Sequence, residues 1–153
     1  GVCGDLKFGR TVHSLASAMS RYEGVEFVAI SPTELRLPDY VKRTLDMRGA
    51  PWRETTSLEA AMPELDVLYM TRVQKERFFN EADYLRLRDT YVLDTAKLAG
   101  AKSDLAILHP LPRVTEISHK VDADPRACYF RQVLNGKYVR MALILMLMQE
   151  AQI

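Results

Sequence analysis

The chain has 153 residues, 48% of them hydrophobic, and its 21 basic and 20 acidic residues leave a formal net charge of +1. A chain of that length and composition is expected to form one soluble domain with a buried core. The charge balance excludes recognition of nucleic acid or of an anionic membrane by net charge, so an anion site must come from the local placement of arginines.

Val2 and Cys3 read as part of a strand that runs into a turn over residues 4–9. The start, Gly1-Val2-Cys3-Gly4, lacks an initiator methionine and reads as mid-strand, so a piece of a longer protein is expected. Val12, Leu15, Ala16, Met19 and Tyr22 recur at helical spacing, and Gly24 is placed to close that helix. Residues 25–30 form an apolar, β-branched strand. Ser31-Pro32-Thr33-Glu34 has the spacing of a capping box with proline at the first helical position, and residues 38–48 form the next helix, stopped by Gly49.

Residues 52–55 read as a short strand, and Thr56 with Glu59 as a second capping box opening a helix over 57–62. Residues 66–70 are a buried strand. A helix follows over 80–88, then a short strand over 91–93 and a helical turn over 95–99 ended by Gly100. Residues 105–108 form the last strand, leading into His109-Pro110-Leu111-Pro112-Arg113. Asp124-Pro125-Arg126 opens a helix that runs to about residue 134, Asn135-Gly136 breaks it, and residues 137–149 form the final helix. Strand and helix alternate throughout. That order predicts an α/β, Rossmann-like three-layer fold with a mainly parallel sheet and helices on both faces.

The final helix is apolar nearly all the way round, from Val139 through Met141, Leu143, Leu145 and Leu147 to Met148. It is too short to span a bilayer, which takes about 20 such residues. A helix apolar on every face must be buried on every face, so this one is expected to pack against another domain or a partner chain.

The chemistry gathers at three strand ends. Thr71-Arg72-Val73-Gln74-Lys75-Glu76-Arg77 emerges from the strand over 66–70. In open α/β sheets ligands bind outside the carboxyl ends of the strands, and arginine presents a planar fork of donors that suits a carboxylate or phosphate. Gly4-Asp5-Leu6-Lys7-Phe8-Gly9-Arg10-Thr11 has the glycine spacing of a phosphate-binding loop, but Arg10 stands where that motif needs lysine. The residues alone leave three readings open there: a nucleotide loop, a plain strand-to-helix turn, or an arginine at a helix N-terminus. His109-Pro110-Leu111-Pro112-Arg113 is a stiff turn whose backbone carbonyls could accept from a substrate N–H, and His109 itself reads as a satisfied buried histidine. Two separated guanidinium groups suit a small dicarboxylate. No residue stands out as a nucleophile, so catalysis would rest on positioning and charge stabilisation. The two cysteines, Cys3 and Cys128, have no metal-ligand spacing and read as reduced thiols of a cytoplasmic protein; no metal and no cofactor is expected.

Three stretches together resemble the catalytic chain of the aspartate carbamoyltransferase family: Gly4 to Ser14, Tyr69 to Arg77, and His109 to Val114. Asp124-Pro125-Arg126-Ala127, Tyr129-Phe130-Arg131-Gln132 and Asn135-Gly136 extend the likeness over the whole chain, which is similar to the family's C-terminal, aspartate-binding half. The resemblance implies transfer of the carbamoyl group from carbamoyl phosphate to L-aspartate in pyrimidine biosynthesis. It implies that Arg10 binds the α-carboxylate side of L-aspartate and that Arg72, with Gln74, binds its side-chain carboxylate. Glu76 would orient Arg72. Leu111 and Pro112, joined by a cis bond, would offer backbone carbonyls to the carbamoyl nitrogen. Arg10 and Arg77 would join ion pairs across a domain closure, and residues 78–91 would be a mobile lid. The implied partners are an N-terminal carbamoyl-phosphate domain, whose Ser-Thr-Arg-Thr loop is not in this sequence, and two further copies in a homotrimer.

The sibling family that uses ornithine carries a His-Cys-Leu-Pro motif, whereas position 110 here is proline. Arg72 would also repel ornithine's ammonium. Without the phosphate-binding half this chain is expected to lack full activity. The alternative of a different class is a non-catalytic small-molecule-binding or assembly module that keeps the fold.

Overall fold

The computed structural model describes residues 1–150. Five strands form one sheet: β1 (Val2–Cys3), β2 (Phe27–Ile30), β3 (Trp52–Thr55), β4 (Val67–Met70) and β5 (Ala106–Leu108). Their order is β3-β2-β1-β4-β5 and every pairing is parallel. In β1 the register sets Val2 opposite Ala29 and Tyr69, and Cys3 opposite Ile30 and Met70.

Side chains alternate across the pleat, and the alternation sorts the apolar residues into two cores. Val2, Phe27, Ala29 and Tyr69 face one side, where α1 (Arg10–Met19) and α2 (Asp39–Met47) contribute Val12, Ala16, Val41 and Leu45. Cys3, Val28, Ile30, Leu68, Met70 and Ile107 face the other. There they meet Leu58 and Ala61 of α3 (Leu58–Ala61) and Tyr129, the first residue of α5 (Tyr129–Glu150). Burying a leucine or isoleucine of this kind contributes about 1.5–3 kcal/mol. The three-layer α/β arrangement is therefore the one the alternation of elements predicts. Because the chain moves outward from β1 to β3 and then returns to the far side of β1, the sheet has its switch point between β1 and β4.

Several local expectations are corrected. Residues 31–34 form no capping box: Pro32 is the cap position, no side chain caps it, and Thr33–Leu35 is a single 3-10 turn. Ser31 instead extends the ladder, its N–H donating to the Thr55 carbonyl at 3.1 Å, and Glu34 turns outward to pair with Arg86. The second cap lies one residue later than read. Ser57, not Thr56, accepts the Ala60 N–H at 3.1 Å. Tyr22 and Gly24 lie beyond the end of α1. Residues 91–93 do not join the sheet; Leu93 makes an isolated parallel bridge to Ile117.

The largest difference is at the C-terminal end. Residues 124–127 form a turn, and Ala127 makes an isolated parallel bridge to Ile107 of β5, so α5 starts at Tyr129 rather than at residue 124. It then runs without a break through Asn135 and Gly136. Gly136 is not among the positive-φ glycines, and a glycine in a helix costs only about 1 kcal/mol relative to alanine. With strong helix formers on both sides, that is too little to stop the helix. Beyond its first turn α5 is exposed on all faces, including Leu143, Leu145 and Leu147. No described helix is long and apolar enough to cross a membrane.

Candidate functional site

The loops leaving β1, β4 and β5 enclose a cleft of about 220 Å³ at the carboxyl edge of the sheet. It is lined by Phe8 and Gly9 from the first loop with Arg10 and Thr11 at the start of α1, Thr71, Arg72 and Gln74 from the second loop, and residues 109–112 from the third. Arg10, Arg72, Gln74, Leu111 and Pro112 thus share one cavity, as expected of a site at the switch point. Glu76 and Arg77 stand at its outer rim on a 3-10 turn, Lys75–Arg77, and are exposed.

The glycine at position 4 is what lets the first two loops meet. Its φ is +117°, and a Cβ there would lie 2.3 Å from the Thr71 carbonyl oxygen. Thr71, buried, completes the junction: its hydroxyl accepts the Asp5 N–H at 3.0 Å and donates to the Cys3 carbonyl at 3.2 Å. Asp5 is a residue that sequence reasoning missed. Its side chain is fully buried and accepts the Phe8 N–H at 2.9 Å and the Gln74 N–H at 3.5 Å. Burial pushes its carboxyl above the usual value, against those N–H bonds and that of Lys7. The only signal for Asp5 was its place in a glycine-bearing turn.

This first loop is not a phosphate cradle. Such a loop presents free backbone N–H groups to its anion. Here the N–H groups of Gly4, Asp5, Leu6, Phe8 and Arg10 are already engaged by Ile30, Thr71, Leu35, Asp5 and Phe8. What remains is the N-terminus of α1, with no side-chain cap and no acidic residue in its first turn. That end carries positive potential, and the exposed Arg10 guanidinium beside it has no protein partner among the described residues.

Arg72 donates to Glu76 at 2.8 Å, an i,i+4 pair that leaves part of its fork for another acceptor. The Glu76 backbone N–H, with the nearby Arg72, holds the Glu76 carboxyl below the usual range. Gln74 reaches back to the first loop, its amide donating to the Phe8 carbonyl at 3.5 Å. On the third loop the Leu111–Pro112 bond is cis and Leu111 sits at φ 49°. Neither carbonyl accepts a hydrogen bond among the described residues. His109 is buried and satisfied, as its sequence setting implied.

Residues 78–88 follow the second loop; none of them lines the cleft, and the Phe78 ring meets that of Phe8 edge to face at 6.5 Å. Helix α4 (Glu81–Leu87) starts at Asn80, whose side chain accepts the Ala82 N–H at 2.9 Å. Its ties to the body are mostly exposed ion pairs, Lys75 with Glu81 and Arg86 with Glu34.

Two guanidinium groups, a helix N-terminus and two free carbonyls around a small cleft make an α/β domain whose site has the chemistry to suit a compact dianion next to a group rich in N–H. The model of the aspartate/ornithine carbamoyltransferase Asp/Orn binding domain matches residues 1–147, and the chain belongs to that family. The aspartate carbamoyltransferase catalytic subunits of Lachnoclostridium phytofermentans and Finegoldia magna are 62% and 63% identical to it; each match covers 97% of this chain and 48% of the relative. The chain spans about half the length of the curated relatives it matches. Among solved structures, the catalytic subunit of M. jannaschii aspartate transcarbamoylase superposes with a TM-score of 0.88 at 42% identity, over 97% of this chain and 49% of that one. The Trypanosoma cruzi aspartate transcarbamoylase in complex with carbamoyl phosphate and aspartate gives 0.83 at 37% identity, over 94% of this chain and 48% of that one.

Proposed function

We propose that residues 1–153 are the L-aspartate-binding domain of an aspartate carbamoyltransferase. The amine of L-aspartate attacks the carbamoyl carbon of carbamoyl phosphate. A C–N bond forms, the amine gives up a proton, the C–O bond to phosphate breaks, and N-carbamoyl-L-aspartate and phosphate result. The observation that carries this reading is the single cleft shared by Arg10, Arg72, Gln74 and the Leu111–Pro112 turn. Arg10 at the helix N-terminus suits the α-carboxylate, and Arg72, steadied by Glu76, suits the side-chain carboxylate. The two carbonyls suit the carbamoyl amide. Held this way, amine and carbonyl carbon are brought into attack geometry, and the bound guanidinium groups offset charge as it builds.

Aspartate is favoured over ornithine by charge, since Arg72 attracts a carboxylate and repels an ammonium. The names of the relatives, all aspartate carbamoyltransferase catalytic subunits, support the same choice. The phosphate site belongs, in this reading, to an N-terminal domain with which Arg10 and Arg77 pair on closure, in a homotrimer. The half-length match and the exposed apolar α5 both support a missing neighbour.

The test is made in a protein carrying both halves. Titrating succinate at saturating carbamoyl phosphate by calorimetry, Arg72→Ala weakens binding by about 30- to 150-fold, the loss expected when a charged acceptor loses its partner. Arg36→Ala, in an exposed residue outside the cleft, does not. Equal affinities in the two variants overturn the carboxylate assignment. Dicarboxylate binding without formation of carbamoyl aspartate would favour a non-catalytic module.

A further inference from the structure

Behind the third loop lies a buried pair that the site as described does not use. His109 is 1% exposed and Glu116 is 4% exposed. Glu116 spends both carboxylate oxygens on this turn. Oε1 faces His109 Nε2 at 2.7 Å, and Oε2 accepts the Val114 N–H at 3.1 Å and the Thr115 N–H at 3.0 Å. His109 Nδ1 in turn accepts the Leu111 N–H at 2.8 Å. A ring nitrogen that accepts from an amide carries no proton, so the ring proton sits on Nε2 and points at Glu116. The chain of contacts runs from Glu116 through the imidazole to the backbone of Leu111. That leucine is the only non-glycine residue with positive φ among those described, a conformation that persists where the surroundings impose it.

We propose that Glu116 is a positioning residue for the carbamoyl side of the site. Its carboxylate fixes the tautomer of His109, and His109 holds Leu111 so that the Leu111 and Pro112 carbonyls meet the N–H groups of the carbamoyl donor. The inference rests on the carbamoyltransferase reading and deepens it. Glu116 touches no substrate and acts through His109.

The requirement for a carboxylate follows from a count of donors. The Val114 N–H, the Thr115 N–H and the His109 Nε2–H all point at Glu116. A carboxylate only accepts and satisfies all of them, whereas glutamine has one accepting oxygen and an NH2 that donates. If the glutamine oxygen stays with Val114 and Thr115, its NH2 faces Nε2 and draws the ring proton to Nδ1, where it confronts the Leu111 N–H. If the side chain turns over, its NH2 confronts the two backbone N–H groups instead. Burial opposes ionisation of Glu116, but the His109 bond and the backbone N–H groups outweigh it and hold its carboxyl below the usual range.

The experiment uses the full-length enzyme. In Glu116→Gln, kcat falls by about ten- to hundredfold, as expected for a small misplacement of a binding group, and KM for carbamoyl phosphate rises. Succinate affinity at saturating carbamoyl phosphate stays within about twofold, because Arg10 and Arg72 are untouched. A general loss of structure would move both. Nitrogen-15 NMR of histidine-labelled wild type, with His109 assigned by its His109→Gln variant, shows the ring protonated on Nε2. A wild type protonated on Nδ1, or a Glu116→Gln enzyme with wild-type kcat, overturns the positioning role alone. A full-length wild type that makes no carbamoyl aspartate overturns the parent reading and this inference with it.

Discussion

Gly4 and Thr71 meet so closely that the two loops carrying the arginines are in effect one unit. The Thr71 N–H donates to the Cys3 carbonyl at 2.8 Å, its side chain takes the Asp5 N–H, and its carbonyl occupies the space a Gly4 Cβ would need. Gly4→Ala therefore meets two obstacles, a clash with backbone and a φ of +117° that L side chains rarely adopt. Urea unfolding is expected to show a loss of at least about 2 kcal/mol. A variant as stable as wild type would mean that β1 and β4 separate at their ends more easily than the contact allows.

Glu76→Gln tests the rim of the cleft. The Arg72–Glu76 pair is exposed, so its own contribution to stability is small. On the proposed reading, it limits the directions the Arg72 fork can take. In a protein with both halves, succinate affinity should fall about three- to tenfold, less than in Arg72→Ala, with the unfolding midpoint unchanged. An effect as large as that of Arg72→Ala would show that Glu76 does more than orient.

Acid should loosen the packing beneath the third loop. Arg113 and the Tyr129 hydroxyl both donate to Asp122, and Arg113 stacks over the Tyr129 and Phe130 rings. Hydrogen bonding from Arg113, helped by Tyr129 and opposed by burial, holds the Asp122 carboxyl well below the usual range. A depressed carboxyl pKa gives stability that is present above the unfolded value, about 3.9, and lost as the pH falls below it. The urea midpoint should be insensitive to this group from pH 7 to 5 and drop below about pH 4. Asp122→Asn should lower the neutral midpoint and shrink that drop; an unchanged pH profile in the variant would remove Asp122 as the cause.

Helix α4 should open more readily than α1. Only Leu87 is buried in α4, whereas α1 buries Val12 and Ala16 in the sheet core. The ion pairs tying α4 down are exposed and worth about 0–1 kcal/mol each. Hydrogen exchange read by mass spectrometry should find the amides of residues 81–87 less protected than those of residues 12–19. Equal protection would argue against a lid.

The chain on its own should self-associate through α5. Its Leu143, Ile144, Leu145, Met146, Leu147 and Met148 are each more than half exposed. Contiguous apolar surface of that kind is rare on a stable monomer. Sedimentation velocity should show concentration-dependent association, reduced in a Leu143→Lys, Leu147→Glu double variant. A clean monomer with α5 fully helical would count against a missing partner surface.

Most of the sheet was legible because the cues were local. Short apolar runs ended by turn residues placed β2, β3, β4 and β5, and the three strand-end loops carried their arginines and prolines in plain sight. The misses share a physical cause. Whether Asn135-Gly136 interrupts a helix is decided by its neighbours and not by two weak helix formers. Ser57 displaced Thr56 as a cap because the ladder runs on to Thr55, whose hydroxyl then accepts the Ser57 N–H. Asp5 and Glu116 were passed over because a lone carboxylate in a polar turn looks solvated until topology buries it. The Asp5 partner Gln74 is 69 positions away, and the tie of Glu116 to His109 exists only once the turn has folded back.

The direct pairing of β1 with β4 has a consequence for size discrimination. Neighbouring strands stand about 4.8 Å apart, a spacing their backbone ladder fixes. The loops bearing Arg10 and Arg72 are anchored to those two strand ends, tied together by Asp5 and Thr71. The sheet thus acts as the jaw of a caliper. On the proposed reading, the backbone fixes the spacing of the two anchor points, so a longer diacid has to be accommodated by the Arg10 and Arg72 side chains, without help from the sheet.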